Sequence, residues 1–135
     1  MNNFTRETIM QLLLKWYTGF DEHAPISSYQ DLLVSQDLFI DLPPRPSTSF
    51  RDFSDWYLAN NQKFFDGKHT LKDIQIDLGE NQAQVVIDMN WTVRTWTPPE
   101  AKSLQLNLDM ISYITIEKDA ITGKPKIKNY QAVDK

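Results

Sequence analysis

The spacing of apolar positions along this chain changes once, near residue 68. Before that point apolar side chains recur every three or four residues; beyond it they alternate. Ile9, Leu12, Leu13, Trp16 and Phe20 form one stripe, widened by Met10, Leu14 and Tyr17. That spacing predicts a mostly buried helix from about Thr5 to Phe20, capped by Asn3 or Thr5 and with Gly19 near its end. Residues 21–25 read as a turn that His23 stabilises. A short helix over about 26–34 would present Tyr29, Leu32 and Leu33 inward. Residues 37–43 read as a short strand stopped by Pro43, Pro44 and Pro46, at a sheet edge because proline cannot donate to a ladder. Behind Ser49, which has capping-box spacing with Asp52, the positions Phe53, Trp56, Tyr57, Asn60 and Phe64 repeat helically, and Gly67 closes the helix.

From His69 the period is two. Leu71, Ile74, Ile76 and Leu78 mark a strand whose phase slips near Asp73. The next strand puts Val85, Ile87, Met89, Trp91 and Val93 on one face and Asp88, Asn90, Thr92 and Arg94 on the other. A third carries Leu104, Leu106, Leu108, Met110, Ile114 and Ile116 inward, and a fourth ends near Val133. A strand of about 14 residues spans on the order of 45 Å, more than the width of so small a domain, so strong twist or bulges are required. The expected fold is α+β: three N-terminal helices packed on a strongly curved, mostly antiparallel sheet. Such a cone encloses a pocket, and residues 1–135 form one domain.

Matching apolar with apolar residues sets Ile76 opposite Ile87, Trp91 opposite Leu108 or Met110, and Ile114 opposite Ile127. Ser112, Asn129 and Gln131 then stand on the concave face, orienting a ligand, or else bonding one another or sitting at the open rim. Tyr17, Trp56 and Trp91 complete the expected lining; alternatively Trp16, Trp56 and Trp91 fill the cavity. The opposite face is polar but carries Trp96, Ile111, Tyr113 and Tyr130, a mixture suited to a homodimer interface.

Composition narrows the chemistry. The formal net charge is −4, from 14 basic and 18 acidic residues, which argues against a nucleic-acid partner. Lys124, Lys126 and Lys128 read as a solvated edge-strand face. There is no cysteine, so disulfides and thiolate nucleophiles are excluded. No apolar run reaches the roughly 20 residues that span a bilayer. The N-terminus lacks the form of a signal peptide, and a soluble cytoplasmic protein is expected. No phosphate-cradling glycine loop and no paired-histidine metal motif occur, so neither cofactor nor metal is expected.

His69, at the start of a strand, is suited to general acid–base work, or to holding a helix–strand corner by hydrogen bonds. Asp37, Asp41 and Asp109 are carboxylate candidates for proton abstraction; Asp109 faces the pocket only if the register shifts by one. Tyr17 and Tyr57 suit either a core role or donation to an oxyanion.

Four stretches, Lys15–Pro25, Phe64–Thr70, Met89–Ser103 and Gly123–Tyr130, resemble the nuclear transport factor two-like superfamily, and within it the SnoaL-like bacterial proteins. The resemblance implies a cystatin-like cone, a pocket between sheet and helices, and dimers through the sheet. It also implies cofactor-free isomerases, cyclases or dehydratases that act on apolar carbonyl compounds, beside non-catalytic binding and association modules. The isomerase pairing of a helix tyrosine with two acids is matched in residue type by Tyr17, Asp41 and Asp109, without a match in the surrounding sequence.

Overall fold

A computed structural model describes residues 3–135. Helix α1 spans Arg6–Glu22. Thr5 caps it, and the Thr5 and Thr8 side chains each bond the other's backbone amide. The helix passes the expected end, closing only at His23, which is left-handed with φ 51°. Gly19 therefore lies inside the helix. Its bare backbone lets Tyr29 approach: a Cβ there would sit 2.8 Å from the Tyr29 ring. Tyr29 belongs to a 3-10 helix over Ile26–Leu32, and its hydroxyl donates to the Trp16 carbonyl at 3.1 Å.

Strand β1 is Phe39–Asp41, and helix α2 is Phe50–Lys63. The Ser49 hydroxyl accepts the Asp52 amide, but the Asp52 carboxylate turns to Thr48, so the expected capping box is half-formed. Gly67 does not end this helix. Strand β2 already begins at Phe64 and runs to Leu78, and Gly67 sits in a bulge between Phe65 and Lys68. A second irregularity, between Leu71 and Asp73, produces the phase slip legible in the sequence. Strands β3 (Gln82–Thr95), β4 (Leu104–Lys118) and β5 (Pro125–Asp134) complete a five-stranded sheet ordered β1-β5-β4-β3-β2. Only β1 pairs in parallel, with β5. β5 is therefore internal, and the lysines at 124, 126 and 128 do not guard an edge.

The register confirms Trp91 opposite Leu108 and corrects two other pairs. Ile76 faces Val85. Ile114 faces Tyr130, because an irregularity between Thr115 and Ile116 shifts β5. That shift reverses the expected faces of β5: Tyr130 is buried in the core, whereas Asn129 and Gln131 are exposed. The helices cover one face of the sheet. Ile9, Leu13 and Trp16 of α1 and Phe53 and Tyr57 of α2 share a core with Ile87, Ile114, Ile116 and Ile127 of the sheet.

Candidate functional site

The last turn of α1 lies against β2. This strand is a sheet edge, so its outward amides have no strand partner. Asp21 meets one of them: its Oδ2 accepts the His69 backbone amide at 2.9 Å. Its Oδ1 lies 2.6 Å from His69 Nδ1. One carboxylate thus holds both the strand and the ring. The short contact is a hydrogen bond that Nδ1–H donates to the carboxylate, and Nε2 bonds no described residue. Trp91, opposite His69 in the ladder, stacks on the imidazole at 5.5 Å with 12° between planes. Tyr17, one helical turn before Asp21, packs against the imidazole with ring centres 5.1 Å apart. The His69 and Asp21 side chains are 11% and 20% exposed, so the pair is sheltered yet reachable.

Below the pair, three hydroxyls form a triangle. Tyr17 donates to Ser112 Oγ at 3.0 Å, and the Tyr130 hydroxyl is 3.0 Å from each of the others. Three hydroxyls can satisfy one another by donating in a ring, which meets the cost of burying them. Burial raises both tyrosine pKa values, that of Tyr17 well above its ordinary range, so both remain protonated donors.

Sheet and helices enclose a cavity of about 740 Å³. Phe20, Trp56, Phe64, Trp91, Leu108 and Met110 supply much of its apolar wall, and His69 and Tyr130 open onto it. His23, Asn60, Lys63 and Asp134 add polar groups. Trp56 and Trp91 are walls and Trp16 lies in the core, so the three indoles leave the space open. Among the described residues, no group of three or more His, Asp or Glu side chains is gathered as a metal site, and no helix is long and apolar enough to cross a membrane.

No protein-family model and no curated protein matches the sequence. Solved structures do. A superfamily protein of nuclear transport factor two-like type from Salmonella enterica serovar Typhimurium superposes with a TM-score of 0.82 at 12% identity, covering 95% of this chain and 89% of its own. A proposed scytalone dehydratase from Novosphingobium aromaticivorans gives 0.79 at 18% identity, with 96% and 83% covered. A type 2 hexachlorocyclohexane dehydrochlorinase gives 0.78 at 12%, with 96% and 84% covered. The chain has the nuclear transport factor two-like fold. At these identities the likeness is one of fold.

Within that fold the expected residues scatter. His69, Trp56 and Trp91 line the cavity; Ser112 and Tyr17 sit in the hydroxyl triangle behind it. Asp109 is on the outer face with its side chain 57% exposed, paired with Lys72 at 3.2 Å. The Asn90 amide and Lys72 lower its pKa, the reverse of what a base in an apolar pocket needs. Asn129 and Gln131 also face outward, away from the cavity that Tyr130 enters. Asp37 is left-handed with φ 59°, and Asp41 ends β1; neither lines the cavity. Sequence reasoning missed Asp21 and Tyr130. Asp21 carried a signal: it lies four residues after Tyr17 and therefore on the same helix face.

Proposed function

We propose that this chain is a cofactor-free enzyme that removes a carbon-bound proton from a small apolar carbonyl compound, with His69 as the general base. One observation carries the reading. Asp21 fixes the imidazole through Nδ1, while His69, whose Nε2 bonds no described residue, belongs to the wall of an apolar cavity. A base that is oriented, sheltered and reachable is the arrangement general-base catalysis needs.

The step balances on this chain's own groups. Nε2 takes the α-proton, and the C–H electron pair moves toward the carbonyl oxygen, giving an enolate beside an imidazolium that Asp21 stabilises. The Tyr130 hydroxyl, kept protonated by burial, turns out of the hydroxyl triangle to donate to that oxygen, leaving Tyr17 bonded to Ser112. A β-hydroxyl then takes the proton back from the imidazolium and leaves as water, completing a dehydration. Without a leaving group, the imidazolium returns the proton to another carbon, completing an isomerisation. Two structural relatives are named for a dehydratase and a dehydrochlorinase, and both names denote elimination of hydrogen with a leaving group from a carbon framework. This supports the reading as analogy of fold.

The test is turnover of a panel of bicyclic β-hydroxy ketones, followed by absorbance of the conjugated product. His69→Gln is expected to lower the rate by roughly 10²–10⁴-fold, and Asp21→Asn should lower it in the same direction by releasing the ring. Asp109→Asn should match the parent chain. Full activity of His69→Gln would end the proposal.

We also infer a homodimer through the outer face of the sheet. Tyr113 is 47% exposed at mid-strand in β4, opposite Val86 and beside Ile111. A large aromatic ring among partly covered aliphatic residues favours contact with a second copy.

A further inference from the structure

An indole N–H in a protein interior ordinarily has an acceptor, and one without it calls for an explanation. Of the four tryptophans, Trp56 donates to the Pro43 carbonyl at 2.8 Å and Trp96 to the Glu100 carbonyl at 2.7 Å. Trp16 Nε1 also bonds no described residue, but that ring is fully buried in the core against Tyr130 and does not line the cavity. Trp91 combines two features that the others do not share together: like Trp56 it lines the cavity, and like Trp16 its Nε1 bonds no described residue.

The space beside that nitrogen is kept free by a glycine. A Cβ on Gly67 would lie 3.4 Å from Trp91 Nε1 and 3.7 Å from Asp21 Oδ1. Gly67 does not have a positive φ, so glycine is not demanded there by backbone conformation. What its missing side chain leaves is a niche between the indole N–H and the carboxylate that holds His69. The stacking of Trp91 on the imidazole keeps the niche adjacent to the base.

We propose that the Trp91 N–H is the donor that holds an acceptor oxygen of the substrate beside His69, and that Gly67 leaves the room for that oxygen. The ligand class is thereby narrowed to apolar molecules that carry an oxygen acceptor. This rests on the cavity being a small-molecule site, as proposed above, but not on His69 acting as a base.

The test uses binding. The full chain, labelled with nitrogen-15 in its indoles, is titrated with α-tetralone and separately with tetralin, the hydrocarbon of the same shape. The Trp91 resonance is assigned as the one missing in Trp91→Phe. It is expected to move downfield with the ketone and not with the hydrocarbon. Trp91→Phe should weaken the ketone roughly tenfold more than it weakens tetralin, as expected for one lost hydrogen bond on top of a changed wall. Gly67→Ala should suppress the ketone-specific shift, and His69→Gln should preserve it. If both compounds bind and Trp91 responds to them alike, the inference is overturned while the small-molecule reading stands. If neither compound moves any cavity resonance, both fall together. Should Trp91→Phe fail to fold, the Trp91 resonance is assigned by its absence in Trp91→Tyr, and the comparison of ketone and hydrocarbon on the parent chain and on Gly67→Ala still decides.

Discussion

His69 and the buried tyrosines are held in their roles by different means. His69 works through a partner, the Asp21 carboxylate at 2.6 Å, which fixes its tautomer. Tyr17 and Tyr130 work through the absence of water, which disfavours phenolate and keeps each hydroxyl a donor. Burial raises the Tyr29 pKa as well, with Tyr57 adding to the effect. These shifts fix a pH dependence. An unfolded tyrosine loses its proton near pH 10, whereas these three retain theirs in the fold. Stability should therefore be insensitive to these groups below about pH 10 and fall above it, as the unfolded chain deprotonates first. Tyrosinate absorbance for these three should rise only together with loss of the circular dichroism signal. Five tyrosines titrating in an intact fold would contradict the burial described here.

Two elements place the site. β2 supplies His69, and its bulge between Phe65 and Lys68 opens the niche at Gly67. A regular strand of this length would place a side chain there and lack the bend. α1 supplies Tyr17 and Asp21 one turn apart, and its position depends on Gly19. There Tyr29 lies against bare backbone, and the Gly19 carbonyl accepts the Tyr57 hydroxyl at 3.3 Å. Gly19→Ala sets two effects against each other. Alanine improves helix propensity by about 1 kcal/mol, whereas forcing a methyl into a packed contact costs about 1–3 kcal/mol. Because the clash is with a buried ring, the contact should win, and the melting temperature should fall. An unchanged or raised melting temperature would mean that Tyr29 moves aside at little cost.

At the scale of the whole molecule the sheet has two different faces. The inner one is covered by helices and carries the cavity; the outer one carries Tyr113 and, further along the same strands, Asp88, Asn90, Asn107 and Asp109. If two copies meet there, Tyr113→Glu places a carboxylate in the contact and should convert a dimer to a monomer in size-exclusion chromatography, with the helical and strand content retained. An unchanged elution volume would place the interface elsewhere or remove it. The cavity lies on the other side of the sheet, so this variant should keep its activity.

The sequence by itself determined the elements and most inward-facing positions, because helix and strand periods are local properties of the chain. The stripe through Ile9, Leu13 and Trp16 and the alternation from Val85 to Val93 could be assigned without any partner. Even the irregularity near Asp73 was visible as a slip of phase. What the tertiary structure decided was the pairing of distant segments. The bulges have no sequence signature as firm as a period, yet the one between β4 and β5 moved Tyr130 inward and Asn129 and Gln131 outward. Asp21 became visible as a partner for His69 only once α1 lay along the free edge of β2, where an unpaired amide and an imidazole both needed an acceptor. Periodicity assigns a side chain to a face; contact between residues 48 positions apart is set by packing.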